Sequence, residues 1–229
     1  MDTMALGIAG SLVVLTATLA ALSARGLVRF IRVRVASQLA WGAGLGFAAV
    51  ATAIELVVYV GVVDVPLLQA YVFLSAAIVG VLSLGCTHVI RSPRFRAGYS
   101  AYTLAACALV GGLSFATPLP NTMVSGGVIT GNPPLTLLVL STLVTGPATV
   151  VLFAAVVLSL RKSWQWRTVM MGIGASVLAA GGALYIASFP AALYYAEFIG
   201  VILIFLGLVS LPHLVSVPAA ARSDGQVRG

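Results

Sequence analysis

The chain has 229 residues, of which 61% are hydrophobic and 7% charged. A water-soluble domain carries about 25% charged residues, so this composition excludes one, and a compact core of this size has no room for so much apolar surface. The net charge of +7 would point to nucleic acid in a soluble protein; here the positive residues flank hydrophobic stretches and read as membrane topology, with no nucleic-acid partner expected.

With about 20 residues needed to cross the hydrocarbon, the sequence predicts an all-α polytopic membrane protein. Seven transmembrane helices are expected at about 4–24, 38–62, 67–90, 98–117, 135–160, 168–189 and 191–213, forming one membrane domain over 1–217 with a disordered cytoplasmic tail at 218–229. The basic residues fall in four clusters: Arg25, Arg29, Arg32 and Arg34; Arg91, Arg94 and Arg96; Arg161, Lys162 and Arg167; Arg222 and Arg228. Each cluster follows every second span, so all four lie on one side. Cytoplasmic connections are the basic ones, which places the amino terminus outside, the carboxyl terminus inside, and the chain in the cell membrane.

Helix 1 invites comparison with a secretory signal, because Ala21-Leu22-Ser23-Ala24 has the small residues of a cleavage site. A signal peptide wants positive charge before its apolar run, whereas here Asp2 precedes the run and four arginines follow it. Residues 1–24 are therefore expected to remain as the first span.

Helix 2 carries Glu55, with Tyr59 one turn on as its expected hydroxyl partner. An ionisable group costs about 2.5–3.5 kcal/mol at the centre of a span, so an intramembrane carboxyl is a functional suspect. Helix 7 carries the second, Glu197, with Tyr194 one turn away. Counted from the outer helix ends, both glutamates are expected roughly 10 Å below the outer surface. Helices 2 and 7 both flank helix 1 in a seven-helix ring, so the two carboxyls are expected to share a cavity. A close, poorly solvated carboxyl pair is the usual arrangement of a proton-coupled or cation-binding site; the alternative is that each acid ties helices together through a tyrosine.

Small residues four apart, Gly42 and Gly46 in helix 2, Ala108 and Gly112 in helix 4, and Gly172, Ser176 and Ala180 in helix 6, are expected to let helix backbones pack closely. Trp41, Trp164 and Trp166 lie near the cytoplasmic boundary as aromatic anchors. His88 and His213, at the cytoplasmic ends of helices 3 and 7, are of the type that ligates haem, although capping of terminal carbonyls suits helix-end histidines better. Cys86 and Cys107 lack the spacing of a zinc or redox motif. The uncharged outer segment 118–134, rich in Pro, Gly and Asn, has turn chemistry and is the one outer connection large enough to act as a lid. In helix 5, Thr145-Gly146-Pro147 marks a break or kink whose freed carbonyls, with Thr142 and Thr145, are candidates to line a midplane site.

Helix 3 runs from Pro66 through Tyr71 to His88, and helix 7 from Pro190 through Tyr195 to His213, an echo consistent with parallel repeats around a central helix 4. That plan is similar to SWEET-type sugar transporters, whose hinge prolines helices 1 and 2 lack. Seven helices with an outside amino terminus resemble microbial rhodopsins in architecture. Such a pigment forms its Schiff base on a helix 7 lysine, but the single lysine here, Lys162, falls in a cytoplasmic connection; retinal held in that way is excluded and no cofactor is expected. The stretch from Arg32 to Arg91, with Leu39-Ala40-Trp41-Gly42 and Gly80 to Gly85, resembles a group of uncharacterised seven-helix integral membrane proteins of prokaryotes. The resemblance implies the fold and brings no activity.

The sequence contains no zinc-protease, aspartyl-protease, nucleophile-elbow or phosphate-loop motif, and no enzyme activity or metal site is expected. Two readings remain. One is a small-solute or ion transporter with a protonatable carboxyl pair at Glu55 and Glu197. The other is a non-transporting membrane sensor or assembly subunit whose Gly-rich faces dock copies of itself or other membrane subunits.

Overall fold

A computed structural model describes residues 3–87, 90, 92–120, 123–125, 128–129 and 133–162, with scattered helical positions between 166 and 206. The spans expected at 168–189 and 191–213 lie outside the described residues apart from those positions, as does the tail. The elements in chain order are α1 (Thr3–Val33), α2 (Ala36–Tyr59), α3 (Val65–Cys86), α4 (Pro93–Ala116), β1 (Val124–Ser125), β2 (Val128–Ile129) and α5 (Leu135–Lys162). All five helices are long and apolar enough to cross a membrane. Their outer faces expose large apolar side chains, among them Val14 and Ile31 on α1, Leu104 and Phe115 on α4, and Leu135 and Val150 on α5. Contiguous apolar surface of this kind is stable against lipid and not against water. The architecture is that of a multi-pass membrane protein.

Two helix ends differ from expectation for local reasons. α1 was expected to stop at residue 24, but it continues to Val33. Arginine is a good helix former, and once past the hydrocarbon the chain has no reason to unwind; Arg25, Arg29 and Arg32 therefore stand on the last turns of α1. The helix ends where Arg34 turns left-handed, φ 57°, leaving a two-residue link to α2. α4 begins at Pro93, five residues before the expected start. Ser92 is its N-cap, its Oγ accepting from the Phe95 amide at 3.3 Å, and proline at the first helical position is pre-set for the turn. The segment 118–134 also departs from the all-α expectation: β1 and β2 pair antiparallel, Val124 opposite Ile129.

Neighbouring helices run antiparallel. Thr16 meets Thr52 and Ser23 meets Gly42 across α1 and α2; Tyr71 meets Glu55 across α2 and α3; Gln69 meets Thr117 and Ser83 meets Tyr99 across α3 and α4. α5 runs alongside α3 in the same direction, with Leu137 beside the amino-terminal part of α3 and Val144 beside Gly80. α3 is thus the hub, packed against α2, α4 and α5. Described cations, from Arg25 to Arg34, Arg94, Arg96, Arg161 and Lys162, all stand at one end of this bundle. The exposed Asp64 and the β-hairpin stand at the other.

Lipid tails are as apolar as leucine, so close packing rather than exclusion of water holds such helices together. Among the described glycines the closest approach of two backbones is α1 on α2: a Cβ at Gly26 would lie 3.0 Å from the Gly42 Cα, and one at Gly42 would lie 3.0 Å from the Leu27 amide nitrogen. The expected packing role of Gly42 and Gly46 agrees with this, Gly46 lying against the Ser23 hydroxyl. The pair in helix 4 was misread. Ala108 and Gly112 face outward with nothing near Gly112, and it is Gly111 that receives the ring of Phe73. Gly172, Ser176 and Ala180 lie outside the described residues.

Candidate functional site

Glu55 stands near the carboxyl-terminal end of α2, about 6 Å along the axis from Tyr59, where the helix stops. It shares a helical face with Ala51, Ile54 and Val58. That face enters a cluster completed by Leu68 and Val72 of α3, Leu137 of α5, and Leu119, Met123 and Ile129 of the α4–α5 connection. Only 3% of Glu55 is exposed. Leu119, Met123 and Ile129 thus pack on the same cluster as this face. Gln69 fixes the entry of the segment 118–134 by donating from Nε2 to the carbonyl of Thr117 at 3.0 Å.

The partner of Glu55 comes from the next helix. Tyr71 donates its hydroxyl to Oε1 at 2.6 Å, while Oε2 has no hydrogen-bond partner among the described residues. Tyr59, expected in that role, has an interaction of its own, but the bond to the carboxyl is the one from Tyr71. One turn deeper, Thr52 donates to the carbonyls of Ala48 and Ala49 and accepts from Thr16 at 2.9 Å. Beyond it Leu15, Leu19, Leu45 and Ala49 close the α1–α2 seam with an apolar plug. Arg25 adjoins Gly26, which meets Gly42 about 20 Å along α2 from Glu55, so no described cation balances Glu55. Ser114 Oγ on α4 is also buried without a partner among the described residues, but a neutral hydroxyl is far cheaper to strand than a carboxyl.

Glu197, Tyr194, His88 and His213, the rest of the expected carboxyl and histidine pairs, lie outside the described residues. Among the described residues no three His, Cys, Asp or Glu side chains gather as a metal site. Cys86 and Cys107 are free thiols, the first buried and the second half-buried.

Of the two expectations for the proline region of α5, a break or a kink, the helix shows no break. α5 is continuous through Gly146 and Pro147. Thr142 and Thr145 do not point into a site; they donate to the carbonyls of Leu138 and Ser141 in their own helix, at 2.8 and 3.0 Å. The carbonyl four residues before the proline, that of Leu143, accepts from the Tyr102 hydroxyl of α4 at 2.6 Å.

The chain matches no protein-family model, and no curated protein or solved structure matches it. Its chemistry is therefore read from the residues alone.

Proposed function

We propose that the chain is a small proton-coupled carrier of the cell membrane, with its cationic end in the cytoplasm, in which Glu55 takes up and releases the proton, and that the arrangement described is an occluded one. The observation that carries this reading is a carboxyl buried beneath the outer segment, with one oxygen held by Tyr71 and the other unpartnered. Such a group is expensive in a span and is kept where it works. The donor set favours a proton over a metal ion: calcium or magnesium needs six or more oxygens, whereas Glu55 and one phenol are set among aliphatic side chains. Orientation follows the basic clusters.

The non-transporting reading, a sensor or assembly subunit, is favoured by a different observation. The apolar plug of Leu15, Leu19 and Leu45 and the tight glycine seam separate Glu55 from the cationic end. A carrier has to open that seam; a sensor does not.

Glu55→Gln keeps the shape and the bond from Tyr71 and removes the exchangeable proton. The full chain in detergent should take up about one proton fewer per molecule across an acid titration. In proteoliposomes under a pH gradient, a panel of small solutes and monovalent cations should give solute-dependent currents with wild type that the variant lacks. Currents equal in both would remove Glu55 from the mechanism, and wild-type proton uptake without current for any solute would favour the sensor.

A further inference from the structure

We propose that Tyr102 is the latch of a hinge in α5, its hydroxyl taking the place of the backbone amide that Pro147 lacks. In an α-helix the amide of residue 147 would donate to the carbonyl of Leu143. Proline has no such hydrogen, and its ring crowds that same carbonyl. An unpaired carbonyl facing hydrocarbon is among the costliest defects of a membrane helix, and Leu143 is exposed on the lipid side. The one group supplied to it is the Tyr102 hydroxyl, from the neighbouring helix, at 2.6 Å.

The latch is positioned from the core outward. Ser83 of α3 shares a 2.6 Å hydrogen bond with the Tyr99 hydroxyl. The Tyr99 ring stacks on Phe95 at 5.7 Å and leans on Tyr102 at 6.5 Å. A row of aromatic side chains on α4 thus sets the height at which Tyr102 meets α5. Around the break Thr142, Thr145 and Thr149 bond back to carbonyls of their own helix, a pattern that bends helices. The hinge divides α5 by function. Leu137, on the hairpin side, belongs to the wall around Glu55; Ala148, Val151 and Ala155, beyond the proline, are buried in the bundle. Release of the latch lets the hairpin side swing while the part beyond the proline stays seated. The latch stands on its own geometry, and only its use as a gate rests on the reading of Glu55 above.

The test is a mutant cycle on the full chain. Tyr102→Phe keeps the ring and should raise the unfolding equilibrium constant at least about tenfold. Pro147→Ala restores the amide, so adding Tyr102→Phe to it should change that constant by less than about twofold. Equal losses in both backgrounds, or none in either, would overturn the latch, because a merely packing role of the phenol does not depend on residue 147. The hinge has a separate readout. Spin labels at Leu138→Cys and Val157→Cys, on exposed positions either side of the break and with both native cysteines replaced by alanine, should give a narrow distance distribution that Tyr102→Phe broadens and Pro147→Ala narrows again. An unchanged distribution would sink the hinge. Neither readout depends on proton uptake at Glu55, so a failed carrier and a failed latch are told apart.

Discussion

Gly42→Leu is expected to destabilise the chain by about 3 kcal/mol, through the α1–α2 seam alone. At this crossing the obstacle to a side chain is main chain: the Leu27 amide nitrogen lies 3.0 Å from where a Cβ would stand, and Gly42 itself is the nearest neighbour of a Cβ on Gly26. Rotamer changes cannot clear backbone atoms, so α1 must move away. That move strains the bond from Ser23 Oγ to the Gly42 carbonyl at 2.8 Å and loosens Leu15 and Leu19 against Leu45. Reversible unfolding in mixed detergent measures the loss. Gly112→Leu is the control, since nothing lies within 4 Å of its Cβ position, and it should stay within about 0.5 kcal/mol of wild type. The two substitutions share the same gain in helix propensity, so their difference reports the seam. Equal stabilities would mean that α1 is not held to α2 by close backbone approach.

The five described spans were legible because length and apolar content suffice for them. What stayed hidden has two physical sources. First, core and lipid are equally apolar, so a membrane helix loses the polar stripe that tells inside from outside in a soluble one; that is why Gly112 was mistaken for Gly111 as the packing residue of α4. Second, the sequence reports neighbours within a helix far better than neighbours across helices. Tyr59 was chosen for Glu55 by its spacing along α2, whereas the bond comes from Tyr71. A signal for it did exist. The link between α2 and α3 is short, and residues equidistant from Val63 oppose one another: Glu55 and Tyr71 each lie eight away, Gly44 and Leu82 nineteen, Trp41 and Gly85 twenty-two, and all three pairs meet. No such rule places Tyr102 against Leu143, because α4 and α5 are joined by a long segment whose course the sequence leaves open.

Glu55 is buried, and its closure by the long segment is expected to depend on Met123. Met123 is 1% exposed and packs with Leu119 and Ile129 against the hairpin ends of α2, α3 and α5. Truncating a buried methionine to alanine costs about 2–5 kcal/mol. If the loss falls on the closed segment, even its lower end raises the open population about thirtyfold. A water-soluble carbodiimide reads that population, since it adds to a carboxyl that it can reach and leaves an adduct visible by mass spectrometry. Asp64, exposed at the link between α2 and α3, is the internal reference. In wild type Glu55 should label far more slowly than Asp64; in Met123→Ala the ratio should rise about thirtyfold, and in the volume-conserving Met123→Leu by less than about threefold. Cys86 is buried toward the opposite end of α3, so an unchanged maleimide rate there excludes general unfolding as the cause. A wild-type Glu55 that labels as fast as Asp64, or a ratio that Met123→Ala leaves in place, would mean that the outer segment does not control access to the carboxyl.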